Sequence, residues 1–112
     1  MIRPGEIYLA DFEEMEPHPV VVVSREELNR GNWVAVVLIT SKRFEERSKQ
    51  PHCVPFRAGE FGLSLDCVAQ AESLFSIRCQ ELGERLGMLD DERWRDLVKA
   101  VGNMMGSDCE PV

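Results

Sequence analysis

The chain has 112 residues, apolar residues at 44% of its positions and a formal net charge of −7 at pH 7. This length suits one domain with one hydrophobic core, so we expect a single domain over residues 1–112. No apolar run approaches the roughly 20 residues of a membrane span, and the first residues lack the apolar segment of a signal peptide, so we expect a cytoplasmic protein without membrane contact.

The first half of the chain predicts three β-strands. Glu6–Ala10 has the alternating pattern of a strand, and Pro19–Ser24 is a continuous apolar run of the kind found in a central strand. Trp33–Ile39 is a third run, rich in β-branched residues. Between the second and third strands, Ser24 is followed three positions later by Glu27, a capping-box pattern that predicts a short helical turn after Ser24.

A basic segment follows the third strand. The acidic balance of the whole chain disfavours nucleic-acid binding, because affinity for phosphates comes largely from Lys and Arg. Residues 42–57 depart from that balance, and charge runs of this kind are common in solvated loops. They also follow directly after Thr40 and Ser41, so any groove at the end of the third strand has basic residues at its rim. The basic residues of the segment are Lys42, Arg43, Arg47, Lys49 and Arg57.

The second half predicts further strands and then a helix. Cys53–Arg57 contains a proline, which cannot donate to an interior ladder, so we expect an edge strand. Three more strand segments follow after a turn at 58–62. Together these short strands and turns predict a mainly β fold, a small antiparallel barrel that is closed or nearly so. The later strand segments are Cys67–Glu72, Leu74–Ile77 and Glu84–Met88.

The end of the chain changes to a helical period. Asp90 is a suitable N-cap, with acidic residues in the first turn where the helix dipole favours them. We expect this helix to pack on the sheet and to end near Gly106. Its predicted apolar stripe, interpreted as core or interface, is Trp94, Leu97, Val98, Val101 and Met105.

The four cysteines show no C-x-x-C spacing, and without a secretory signal we expect no disulfide framework. His52 precedes one of them, but two adjacent residues seldom coordinate one metal ion. We therefore interpret the thiols as buried or incidental, and expect neither a metal nor a cofactor. The cysteines are Cys53, Cys67, Cys79 and Cys109.

Five segments, in order along the chain, resemble the MazF/PemK-like family of toxins. Each segment is short, but the ordered set spans about residues 3 to 105. The resemblance also covers the acidic start of the last helix. The segments are Arg3–Asp11, His18–Ser24, Leu38–Ser41, Val54–Leu63 and Arg85–Leu89.

The resemblance implies an SH3-like barrel with a C-terminal α-helix that forms a two-fold homodimer. It implies metal-independent cleavage of single-stranded RNA, in which the ribose 2′-hydroxyl attacks the adjacent phosphate and leaves a cyclic phosphate. It further implies a type II toxin–antitoxin system, with an antitoxin whose acidic, disordered tail folds into the RNA groove.

Carried over residue by residue, the resemblance assigns catalysis to two positions. Thr40 matches the family threonine, and His18 stands where the family has an arginine. Histidine titrates near neutrality, so His18 is a candidate base or acid for the reaction. The expected RNA contacts come from residues that follow the threonine, namely Ser41, Lys42, Arg43 and Arg47.

Departures from the family pattern define an alternative function. Glu72–Phe75 replaces the usual D-Q-[IV]-R, and Phe12–Pro17 leaves a short segment where many members have an RNA-covering loop. With His18 in the arginine position, the alternative is a binding module of the same fold that has lost catalysis and acts through a protein partner.

Overall fold

The computed structural model describes residues 1–13 and 15–107. This part of the chain forms six strands, all paired antiparallel, and two α-helices, which confirms the mainly β prediction with a C-terminal helix. Five of the strands begin and end within two residues of the predicted bounds. The elements are β1 (Glu6–Ala10), β2 (His18–Val22), β3 (Trp33–Thr40), α1 (Phe44–Arg47), β4 (Cys53–Phe56), β5 (Cys67–Arg78), β6 (Leu82–Met88) and α2 (Asp91–Met104).

Strand β5 is one long strand where the sequence predicted two segments. Leu38 of β3 pairs with Gln70, but the neighbouring Val37 pairs with Leu74, so residues 71–73 form a bulge. The side-chain amide of Gln70 donates a 3.0 Å hydrogen bond to the hydroxyl of Ser73 across this bulge. An insertion of this kind bends the strand and redirects its side chains while the ladder continues on both sides.

The strand order is β4-β5-β3-β2-β1-β6, which leaves β4 and β6 as the two edges. The edge position predicted for the proline-containing β4 is therefore confirmed, and the barrel is not closed by strand pairing. Instead, a 3₁₀ turn at Glu60–Gly62 after β4 packs against β6. We call this contact, made by Phe61 and Gly62 with Leu86 and Gly87, the closure seam.

The closure seam brings two backbones into direct contact. A Cβ added at Gly62 would lie 1.9 Å from the carbonyl oxygen of Leu86, and one added at Gly87 would lie 2.2 Å from that of Phe61. Gly62 also has a φ of +80°, in the left-handed region that disfavours other residues. Glycine is thus required at both positions for the turn to close the gap between the edge strands.

Both faces of the sheet are apolar, as the continuous valine runs predicted. The larger core lies under α2 and includes Ile7, Val37 and Phe56 together with Leu97 of the helix. The second cluster, on the opposite face, is Ala10, Val20, Val22, Val34, Val36 and Ile77.

Helix α2 begins as predicted, with the Asp90 carboxylate accepting a 2.8 Å hydrogen bond from the backbone N–H of Arg93. It ends at Met104, and Gly106 beyond it has a φ of +75°. The predicted stripe was partly wrong, because Val98 and Met105 are exposed while Ala100 is buried. The reason is the rotation of α2 about its axis, which directs Leu97 and Ala100 toward the sheet. None of the helices within residues 1–13 and 15–107 is long and apolar enough to span a membrane.

The predicted capping box at Ser24 was wrong. Its hydroxyl makes tertiary contacts instead, accepting a 3.0 Å hydrogen bond from the backbone N–H of Ala35 and donating to the side-chain oxygen of Asn29. Asn29 in turn donates to the backbone oxygens of Ile2 and Ser24. The turn at Leu28–Arg30 is a 3₁₀ helix without a side-chain cap, because the hydroxyl is already engaged in joining β2 to β3.

Candidate functional site

A cleft of about 590 Å³ opens where β2 begins and β3 ends. Its near wall carries polar side chains from the two strands and from the residues directly after β3. Its far wall comes from residues 62–65 and from Leu86, so the closure seam forms part of the cleft. Among the residues predicted for the site, the structure brings four into this cleft, namely His18, Thr40, Ser41 and Lys42.

The pairing of β2 with β3 explains why His18 and Thr40 meet. Val20 pairs with Leu38, and continuing the same antiparallel register by two residues brings His18 opposite Thr40. Thr40 is 7% exposed, and its hydroxyl oxygen accepts a 3.2 Å hydrogen bond from the backbone N–H of Lys42. Because its oxygen is engaged as an acceptor, the hydroxyl hydrogen remains available to a ligand in the cleft.

His18 is held in a defined orientation by its own backbone neighbourhood. Its Nδ1 atom lies 2.6 Å from the carbonyl oxygen of Glu16. A carbonyl oxygen only accepts, so Nδ1 carries the hydrogen. In the neutral ring, Nε2 is then the atom with a free lone pair, and it is the atom that can take a proton from a substrate.

The remaining two predicted residues lie elsewhere. Neither Arg43 nor Arg47 lines the cleft. Arg43 has a left-handed backbone conformation, with a φ of 53°, and precedes α1, while Arg47 occupies the last position of that helix. The chain thus turns away after Lys42, and the two arginines belong to the surrounding surface.

The far wall of the cleft was not predicted as part of a site. Ser64 and Leu65 face the polar strand ends across it, and Leu65 is exposed. The sequence predicted a turn at 58–62 and a strand at Glu84–Met88, but nothing local shows that these two segments meet. An exposed apolar side chain beside a hydroxyl and an imidazole can pack against a flat organic group.

Two of the described thiols, Cys53 and Cys67, are not arranged for nucleophilic chemistry. Burial, with Asp66 and Glu60 nearby, raises the pKa of the Cys67 thiol in the cleft wall to about 11. Burial, with the Glu72 carboxylate, does the same for Cys53. Both thiols are therefore protonated near neutral pH, when the thiolate is the nucleophilic form. Cys109 lies outside the described residues.

The fold is a small β-domain, and a hydroxyl, an imidazole and an ammonium group line one cleft in it. Residues 3–105 match the family described as PemK-like, MazF-like toxin of type II toxin-antitoxin system. The chain belongs to this toxin family. The order of segments noted in the sequence is thereby confirmed.

Individual relatives agree with this assignment. The chain is 24% identical over 112 residues to Endoribonuclease MazF of Staphylococcus saprophyticus, covering 95% of this chain and 92% of the relative. A mycobacterial endoribonuclease solved in complex with its cognate antitoxin superimposes with a TM-score of 0.81 at 22% identity, covering 99% of this chain and all of that one (100%). MazF-mt6 of Mycobacterium tuberculosis superimposes with a TM-score of 0.77 at 23% identity, covering 95% of this chain and 99% of that one. At these identities the structural matches show a common fold.

Proposed function

We propose that this protein is the toxin of a type II toxin–antitoxin system and acts as an endoribonuclease on single-stranded RNA. The observation that carries this proposal is the meeting of His18, Thr40 and Lys42 in one open cleft of a PemK/MazF family member. A relative of nearly equal length is named an endoribonuclease. The family toxins act in bacteria, and we place this protein in the cytoplasm, where its RNA would be.

The proposed reaction uses the three groups in different ways. Nε2 of His18 takes the proton of the ribose 2′-hydroxyl, and the 2′-oxygen attacks phosphorus. The bond from phosphorus to the 5′-oxygen breaks, and that oxygen takes a proton from the water that fills the open cleft. The products are a 2′,3′-cyclic phosphate and a free 5′-hydroxyl, so no metal or redox partner is needed.

The other two groups stabilise the charge that develops on the phosphorane. The Thr40 hydroxyl is a preorganised donor, because its oxygen is already fixed by the Lys42 N–H. The Lys42 ammonium supplies a positive charge at the same opening. Arg43 and Arg47, outside the cleft, are assigned to steering the RNA backbone, an electrostatic role that does not require contact with the reacting phosphate.

An RNA cleavage assay tests the proposal directly. A long unstructured RNA is incubated with pure protein in the presence of a metal chelator, and the fragment ends are analysed. We expect cleavage that leaves cyclic phosphate and 5′-hydroxyl ends, and its loss in Thr40→Val purified in parallel. Intact RNA, or equal cleavage by both proteins, would contradict the enzymatic assignment. Growth arrest on expression without RNA fragmentation would instead support the non-catalytic binding module.

We further propose that the toxin is a homodimer that pairs with an acidic-tailed antitoxin. The second face of the sheet carries half-buried apolar residues, including Phe12, Leu38 and Phe75, that a partner copy can cover. A solved relative is in complex with its cognate antitoxin, and the basic segment beside the cleft suits an acidic tail. Light scattering at tens of micromolar should give the mass of two chains, and a monomer mass would contradict the pairing.

A further inference from the structure

We propose that His52, Cys53 and Glu72 form a binding site for a thiophilic divalent cation, Zn²⁺ by its ligand set. The site lies at the edge of the sheet, where β4 begins beside the bulge of β5. None of its three residues lines the cleft that carries the proposed RNA chemistry. The proposal therefore holds whether or not the protein cleaves RNA.

Three different donor atoms converge at this point. One nitrogen of His52, the sulfur of Cys53 and one carboxylate oxygen of Glu72 all lie within 4.8 Å of one another. Zinc binds thiolate, imidazole and carboxylate at about 2.0–2.3 Å, which places ligand atoms about 3–4 Å apart around a tetrahedral ion. The donors therefore lie close to the spacing that one tetrahedral ion requires.

The backbone holds the donors in place without a metal. The N–H of Ala71 donates a 2.9 Å hydrogen bond to the carbonyl oxygen of His52, which extends the ladder between β4 and β5 past the end of the strand. Cys53 itself pairs with Gln70. Glu72 follows Ala71, so it lies one residue past this hydrogen bond, and its carboxylate contacts the imidazole of His52.

Charge and proton balance also favour a divalent ion. On binding, Cys53 exchanges its thiol proton for a metal–sulfur bond, and a ring nitrogen of His52 coordinates the ion in place of its contact with Glu72. The thiolate and the Glu72 carboxylate together offset the two positive charges. Soft sulfur beside imidazole selects zinc over magnesium or calcium, which prefer oxygen ligands.

The site is suited to reversible occupancy. Cys53 is buried, but the side chains of His52 and Glu72 are partly exposed to solvent. Three protein ligands leave a fourth position for water, as in open zinc sites, whereas structural sites are closed by four protein ligands. A bound ion would link the start of β4 to the bulge of β5. It would thereby fix the C-terminal end of the segment that joins Thr40 to β4.

Cobalt(II) provides a spectroscopic test with the full chain. A Co²⁺ titration of metal-free protein should produce a thiolate-to-cobalt absorption band in the near ultraviolet that saturates at one ion per chain and is bleached by Zn²⁺. Cys53→Ser should abolish the band, while Cys79→Ser and Cys109→Ser, the matched controls, should retain it. A band that is absent in the wild type, or that persists in Cys53→Ser, would overturn the proposal.

Thermal unfolding supplies an independent readout that does not depend on a core substitution. Zn²⁺ at a hundredfold excess over its dissociation constant should raise the Tm of the wild type by about 10 °C. Glu72→Gln and His52→Asn, at partly exposed positions, should fold but show less than half of this shift. Equal Tm shifts in wild type and both variants would mean that zinc binds elsewhere. No Tm shift in any of the three proteins would mean that the cluster does not bind zinc. RNA cleavage should be the same with and without zinc chelation.

Discussion

The cleft and the closure seam share residues but are built on opposite principles. In the closure seam, the backbones of Gly62 and Leu86 are in direct contact, and no added atom fits between them. In the cleft, the side chains of His18 and Thr40 face about 590 Å³ of open space. Substitutions in the closure seam should therefore lower stability, while those in the cleft should lower activity and leave stability nearly unchanged.

The largest effect is expected in the closure seam. Gly62→Ala combines a left-handed φ with a backbone clash and should lower the free energy of unfolding by more than about 4 kcal/mol, measured by urea denaturation. Two variants separate these causes. Gly87→Ala introduces the clash without the left-handed φ and should cost about 3 kcal/mol. Gly59→Ala has a φ of +97° in open space and should cost about 1 kcal/mol.

If Gly59→Ala destabilises the protein as much as Gly62→Ala, backbone strain alone explains the glycines, and direct contact does not close the barrel. If Gly87→Ala has no effect, β6 can move away from the turn, and the distinction between the two regions is lost.

Thr40→Val should have the largest effect on activity. It keeps the shape of a buried side chain but removes the hydroxyl donor, so we expect cleavage to fall about a hundredfold to a thousandfold. The free energy of unfolding should change by only about 1 kcal/mol, because the Lys42 N–H that loses its acceptor lies at an exposed residue. Thr40→Ser, the control, keeps the hydroxyl and should retain most of the rate. A rate that follows stability across the three proteins would show that Thr40 acts structurally.

The pH dependence of cleavage tests the role of His18. Because its Nδ1 donates to Glu16, Nε2 must be unprotonated to accept the 2′-hydroxyl proton, so the rate should rise over the pH range in which the imidazole loses its proton and then level off. His18→Gln should lose about a hundredfold in rate. His18→Arg should keep activity without the pH step if the site also works as it does in relatives with arginine. A wild-type rate that falls over this range would make His18 a phosphate-binding cation.

The smallest effect concerns Glu6, which links β1 to the seam strand β6 through a 2.7 Å ion pair with Arg85. Burial alone would raise the pKa of the Glu6 carboxyl, but hydrogen bonds from Arg85 and from the Arg3 N–H hold it below its ordinary value. A depressed folded-state pKa stabilises the protein above the unfolded value of about 4.3, and this contribution is lost as the pH falls through the folded value.

Glu6→Gln should therefore flatten the loss of stability below about pH 4.5, at a cost on the order of 1 kcal/mol at neutral pH because Arg85 is half exposed. Glu84, an exposed residue next to Arg85 on β6, provides the control, and Glu84→Gln should leave the pH profile unchanged. If the free energy of unfolding falls with pH in parallel for wild type and Glu6→Gln, this ion pair does not contribute to the loss of stability in acid.

Local patterns were sufficient to predict most of the fold and the wall of the cleft that β2 and β3 form. The alternation in Glu6–Ala10, the N-cap Asp90 and the edge proline Pro55 each describe interactions within a few residues of one another, and each prediction is confirmed. Thr40 and His18 could be named because both belong to recognisable family segments. That they lie in one cleft follows from the β2–β3 register, which the structure supplies.

Neighbouring residues carry the hydrophobic period and the capping signals, so the strands, their order along the chain and the terminal helix could be predicted locally. The tertiary structure alone decided which distant segments touch. Ser24 binds Ala35 and Asn29 in place of a helix cap, Phe61 and Gly62 contact β6, and the β4–β5 register places Glu72 beside His52. Most of these contacts join residues that no local pattern connects, and those of the closure seam form where Phe61 and Leu86 pack against the core under α2.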